Sequence, residues 1–207
     1  GASGTLIGAR SSLARDVFVS RRRFQSVGYQ IDGVLGYLPG LRIGPIVGPE
    51  LAVAIAEREH ARHAPSNILA IIQLFHTQLE HRGERWALRA GAARQPSRVQ
   101  GWQHVPLIQG TPLVHLTGPD GRVVVGMIDT GATGSFVVPP TAEGTYRLLA
   151  EDGSVVLGVP ADDEVDWQAM RMGGHDVQVV IGMDVLTSRD WRLSCYEGLW
   201  AIAPRAR

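Results

Sequence analysis

The chain contains no lysine: all 20 of its basic residues are arginine, and they balance 20 acids for a formal net charge of +0 at pH 7. That balance gives no overall field of the kind that draws a protein to nucleic acid or an anionic membrane. There is one cysteine, Cys195, which excludes an internal disulfide and a cysteine-built metal site. Its setting, Leu193-Ser194-Cys195-Tyr196, reads as a core strand residue rather than a nucleophile. No uninterrupted apolar run reaches the roughly 18 residues that a spanning helix needs, so no membrane span is expected. What is present is apolar content of 44% in 207 residues, enough for one large core or two small lobes. The charge is unevenly placed: residues 1–100 carry 13 Arg and 7 acids, residues 101–207 carry 7 Arg and 13 acids, giving +6 and −6.

Periodicity predicts short strands at Asp16-Val17-Phe18-Val19, Phe24 to Tyr29 and Ile31 to Leu35, with Arg21-Arg22-Arg23 as a basic turn between them. A helix is expected over 49–62, with Pro49 at its first position and Leu51, Ala54 and Ile55 on one face. A second helix is expected from an N-cap at Ser66 through Ile68, Leu69, Ile72, Phe75 and Leu79 to a stop at Gly83. Trp86 to Arg89 reads as a strand, and 91–101 as a surface connection. From Val105 onward the signals are nearly all β. Asp120-Gly121, Asp152-Gly153 and Gly173-Gly174 are hairpin turns, and Val177 to Ile181 is a buried strand.

One stretch stands out. Val123-Val124-Val125-Gly126-Met127-Ile128 is followed at once by Asp129-Thr130-Gly131-Ala132, and the chain then turns apolar again at Phe136-Val137-Val138. A carboxylate in an apolar strand is costly unless it is hydrogen-bonded, paired or shares a proton. The segment also has an internal echo: Gly1-Ala2-Ser3-Gly4-Thr5-Leu6-Ile7 matches Gly131-Ala132-Thr133-Gly134-Ser135-Phe136-Val137 in residue class. Ile31-Asp32-Gly33-Val34-Leu35 echoes Val180-Ile181-Gly182-Met183-Asp184-Val185-Leu186, and Trp86-Ala87-Leu88 echoes Trp200-Ala201-Ile202. Three matches in one order suggest duplication.

Asp129-Thr130-Gly131-Ala132, followed about 50 residues later by Val180-Ile181-Gly182, resembles the retropepsin-like and pepsin-like aspartic proteases, closely over residues 102–204 and loosely before them. The resemblance implies a mostly β, bilobal acid-protease fold: an N-terminal lobe, 1–100, with a two-helix insertion over 49–82, and a C-terminal lobe, 101–207, carrying Asp-Thr-Gly. It implies an endopeptidase in which two aspartates about 3 Å apart share a proton and activate a water between them. Asp129 is then one catalytic residue; Thr130 fixes the pair through its hydroxyl, and Gly131 permits close backbone approach. Ala132 and Thr133 are expected at the substrate, and Gly153 in the Arg147–Val156 hairpin as a candidate flap. Because Ala132 stands where pepsins have Ser or Thr, a working pH nearer neutral is expected.

If residues 1–7 repeat 131–137, the partner Asp-Thr falls immediately before Gly1, and a truncation is expected there. Two alternatives stay open: a one-lobed homodimer pairing Asp129 with its own copy, and a catalytically inactive peptide-binding or regulatory protein. The expected partner is a peptide or protein substrate, with no cofactor, no metal and no nucleic acid, and the monomer is favoured over the homodimer. Among weaker signals, His60 and His63 read as a solvated helix face, the acids Asp162, Asp163, Glu164 and Asp166 as a solvated run, and Asp184 as structural.

Overall fold

The computed structural model of the chain describes residues 5–7, 12–25, 32–44, 46–47, 50–56, 67–68, 77–90, 99–138, 142–161, 163–164, 170–195 and 197–204. It divides into two compact units, residues 2–75 and residues 76–207 together with Gly1. The first contains β1 (Thr5–Ile7), a 3-10 turn at Ser12–Asp16, β2 (Phe18–Gln25), β3 (Asp32–Leu38), β4 (Arg42–Ile43), β5 (Ile46–Val47), β6 (Leu51–Ala56) and β7 (Asn67–Ile68). Five of these form a sheet in the order β2-β3-β6-β1-β7. β1 runs parallel to β6 and antiparallel to β7, with Leu6 opposite Ile68.

The second unit begins with the hairpin β8 (Thr77–Arg82) and β9 (Arg85–Ala90), then β10 (Gln103–Ile108), β11 (Thr111–Thr117), β12 (Val123–Ile128) and β13 (Phe136–Val137). β14 (Gly144–Leu149) and β15 (Val155–Ala161) form a hairpin, followed by β16 (Asp163–Glu164), β17 (Met170–Met172), β18 (His175–Val177) and β19 (Val179–Ile181). One helical turn, α1 (Met183–Leu186), precedes β20 (Trp191–Ser194) and β21 (Leu199–Ile202). The main sheet runs β16-β13-β19-β12-β11-β10-β21-β20-β8-β9, and β14 joins it at β11. β12 and β19 are paired on both edges, and burial of the successive residues Met127 and Ile128 and of Val179 to Ile181 shows that both faces are covered there, so these stretches are continuous apolar runs rather than alternations. The core takes Val114, Leu116, Ile128, Ile181, Leu186, Trp191 and Trp200, while Leu113, Met127, Val177 and Val180 form a smaller cluster.

The three expected hairpin turns are present. At Asp152-Gly153, Gly153 takes φ 79 and the Asp152 carboxylate accepts from both the N–H and the hydroxyl of Ser154 at 2.9 and 2.6 Å. Cys195 is buried, as a core residue should be, and burial pushes its thiol pKa up.

Four expectations are corrected. Leu51–Ala56 and Thr77–Arg82, assigned to helices, are strands β6 and β8; residues 57–66 and 69–76, with His60 and His63, lie outside the described residues. β6 is held by β3 on one side and β1 on the other, a long-range pairing that overrides the helix propensity of its alanines. The unit carrying Asp129 does not begin at 101, because the β8–β9 hairpin pairs onto β20 through Leu79 opposite Leu193. Arg21-Arg22-Arg23 is not a hairpin tip but part of β2, where the register slips between Val19 and Arg23. The echo of Val180-Ile181 is not the segment ending in Asp32 to Leu35, residues that lie in β3 and pair with β2 and β6. β7 is the strand that meets β1 antiparallel, as β19 meets β13. Each unit thus places the strand after its Gly-rich loop sequence against a later apolar strand, Leu6 with Ile68 and Phe136 with Val180.

Candidate active site

The Asp129 loop links two strands that do not pair with each other. β19 threads between them, parallel to β12 with Ile128 opposite Ile181, and antiparallel to β13 with Phe136 opposite Val180. Residues 129–135 therefore arch over the end of β19. The arch is fastened along its length. Asp129 N–H donates to the Ile181 carbonyl at 2.9 Å, continuing the parallel ladder by one residue. Ala132 N–H turns back to the Asp129 carbonyl at 3.2 Å. Met183 N–H and Asp184 N–H donate to the carbonyls of Ala132 and Thr133 at 2.9 and 3.2 Å. These last two donors are first-turn amides of α1, which have no partner within the helix, so the loop satisfies them.

The carboxylate is held by its own loop. Gly131 N–H donates to Asp129 Oδ1 at 2.8 Å. Asp129 and Thr130 are half-buried and Gly131 is exposed. Asp129 therefore sits at the rim of the core rather than inside it. Ala132 is half-buried, and Thr133 and Gly134 are exposed.

Gly182 explains the spacing of the second motif. A Cβ there would fall well inside contact distance of the Gly134 carbonyl and 3.0 Å from the Ala132 oxygen, although its φ of −96° is open to any residue. The glycine is required by close approach, not by its dihedral angles. Ser135 was missed in the sequence. Its hydroxyl accepts from Gly182 N–H at 2.9 Å and donates to Asp184 Oδ1 at 2.8 Å, and its N–H donates to Asp184 Oδ2 at 3.1 Å. The available signal was a serine at the mouth of an apolar strand.

The structure thus brings Asp129, Gly131, Ala132 and Thr133 together with Ile181, Gly182 and Asp184. Gly153 lies apart in sequence, in the exposed turn of the β14–β15 hairpin. The body of that hairpin packs into the core through Tyr146, Leu148, Val156 and Leu157, and Arg189 Nε donates to the Val156 carbonyl at 3.2 Å. Gly1 to Gly4 and Asp162 lie outside the described residues; Asp163 and Glu164 form the short strand β16, parallel to β13.

This mostly β architecture is the fold of the pepsin-like aspartic proteinases. The chain is similar to the aspartic proteinase of Irpex lacteus, with a TM-score of 0.56 and 11% identity, covering 100% of this chain and 88% of that one. It is also similar to the basic 7S globulin of soybean, with a TM-score of 0.51 and 11% identity, covering 89% of this chain and 72% of that one. No protein-family model and no curated protein matches the sequence.

Proposed function

We propose that the protein is an aspartic endopeptidase and that Asp129 is one of its two catalytic carboxylates. The observation that supports this most is the arched Asp-Thr-Gly loop, in which the Gly131 amide holds Oδ1 of a rim-exposed aspartate beside the Gly182 turn. In this reading a second carboxylate faces Asp129, and the two hold one proton between them because like charges at about 3 Å cannot both ionise. The ionised member takes a proton from water, which attacks the scissile carbonyl. The protonated member stabilises the developing oxyanion, and a proton then passes to the leaving amine. Thr130 braces the pair, and Ala132, Thr133 and Gly153 line the substrate path.

We take the enzyme to be a monomer, a reading supported by the local pairing of β1 on β7, which repeats that of β13 on β19. Peptide cleavage by the full-length gene product and its Asp129→Asn variant tests the assignment: the variant should fold and be inert. Cleavage retained with an unchanged pH profile would place the chemistry elsewhere. A second reading, a catalytically inactive peptide-binding protein, draws on the same fold being found in a globulin as well as a proteinase. It predicts peptide affinity without turnover in either variant.

A further inference from the structure

We infer that Asp184, acting through Ser135, is a positioning residue that holds the Asp129 carboxylate in place. This rests on the reading of Asp129 as catalytic. The loop is fastened at its start by the Asp129 amide on Ile181 and in its middle by the Met183 and Asp184 amides, all backbone bonds. Its end is fastened by side chains. Asp184 offers one carboxylate oxygen to the Ser135 amide and the other to the Ser135 hydroxyl, while that hydroxyl accepts from Gly182 N–H. Gly182, Ser135 and Asp184 therefore form one chain of hydrogen bonds in which each group orients the next, closed into a ring by the Asp184 amide on the Thr133 carbonyl.

The ring lies on the same turn that Gly134 and Ala132 press against, so a shift of Ser135 passes directly into the segment bearing Gly131, the donor to Asp129 Oδ1.

Two measurements on the full-length protein test this. Ser135→Ala and Asp184→Ala should each lower kcat on the order of tenfold with KM little changed, since a misplaced catalytic group loses rate without losing ground-state binding. Asp184→Asn should recover most of the loss, because its amide oxygen can still accept from the Ser135 N–H. Independently of turnover, amide hydrogen exchange at Gly131 should accelerate in both alanine variants. Faster exchange at Gly182 and Ser135 with Gly131 unchanged, or lower thermal stability with kcat unchanged, would overturn the inference. If the wild-type protein proves inert, the catalytic reading fails while exchange at Gly131 still decides whether Asp184 holds the Asp129 loop.

Discussion

Replacing Gly182 by alanine adds one methyl group where there is no room for it. The Cβ would collide with the carbonyl of Gly134 and press on that of Ala132. Both are backbone atoms, so relief requires the 131–134 arch to lift off β19. The backbone at Gly182 costs nothing extra, since φ −96° and ψ −174° suit alanine. The penalty is therefore overpacking, about 1–3 kcal/mol. Lifting the arch also strains the bonds from Met183 and Asp184 to Ala132 and Thr133, now 2.9 and 3.2 Å, which favours the upper end of that range. For a chain of this size, each kcal/mol lowers the melting temperature by about 2–4 °C. A fall of roughly 4–12 °C should therefore appear in a thermal unfolding curve, together with a larger loss of cleavage than of stability, because the arch carries Asp129. Gly126→Ala is the control. Its Cβ would meet side-chain atoms only, Leu116 Cδ1 at 2.7 Å and Val114 Cγ2 at 3.3 Å, and the backbone of the arch is untouched, so cleavage should fall no more than stability does. A Gly182→Ala protein as stable and as active as wild type would refute the close-approach account of this glycine.

Two further outcomes follow from the second unit. Arg192 and Glu80 pair at 2.8 Å across β8 and β20, with side chains only 6% and 5% exposed. Arg192→Ala strands a buried carboxylate and should cost about 3–5 kcal/mol, toward the lower figure because Arg89 lies 3.5 Å from the same group; chemical denaturation measures it. Cys195 is buried with a raised pKa, burial being the larger cause and its hydrogen bond with Thr77 a smaller, opposing one. The unfolded thiol ionises first, so the stability contributed by keeping it neutral is full below the unfolded pKa and is lost as pH rises through the folded pKa. Alkylation at neutral pH should accordingly be slow in the native protein and fast once it is unfolded.

The parts legible in the sequence are those fixed by local sterics. The Gly182 turn is legible because only a glycine fits against the arch, and the hairpins are read from Asp-Gly and Gly-Gly, whereas Asp129-Thr130-Gly131 is singled out by its resemblance to a known family. Leu51–Ala56 was misread because its alanines and Pro49 imitate a helix start, while its strand state comes from β1 and β3, distant in the chain. β8 defeats periodicity differently: Thr77, Gln78, Glu80 and His81 are all buried, so neither face is marked by polarity. The partner strand of β1 was mistaken because Ile68-Leu69-Ala70 lacks the glycine that Val180-Ile181-Gly182 carries, and Gly33 supplied a false match. Ser135 and Asp184 are polar residues whose pairing spans 49 positions, and no local pattern reports it.

The most direct measurement is cleavage of an unstructured protein substrate by the full-length gene product, wild type against Asp129→Asn, across a pH range, with matched thermal unfolding curves. An aspartic endopeptidase acting through Asp129 predicts cleavage by the wild type, none by the variant at any pH, and the same folded structure in both. Equal cleavage by the two proteins, or none by a well-folded wild type, would contradict it.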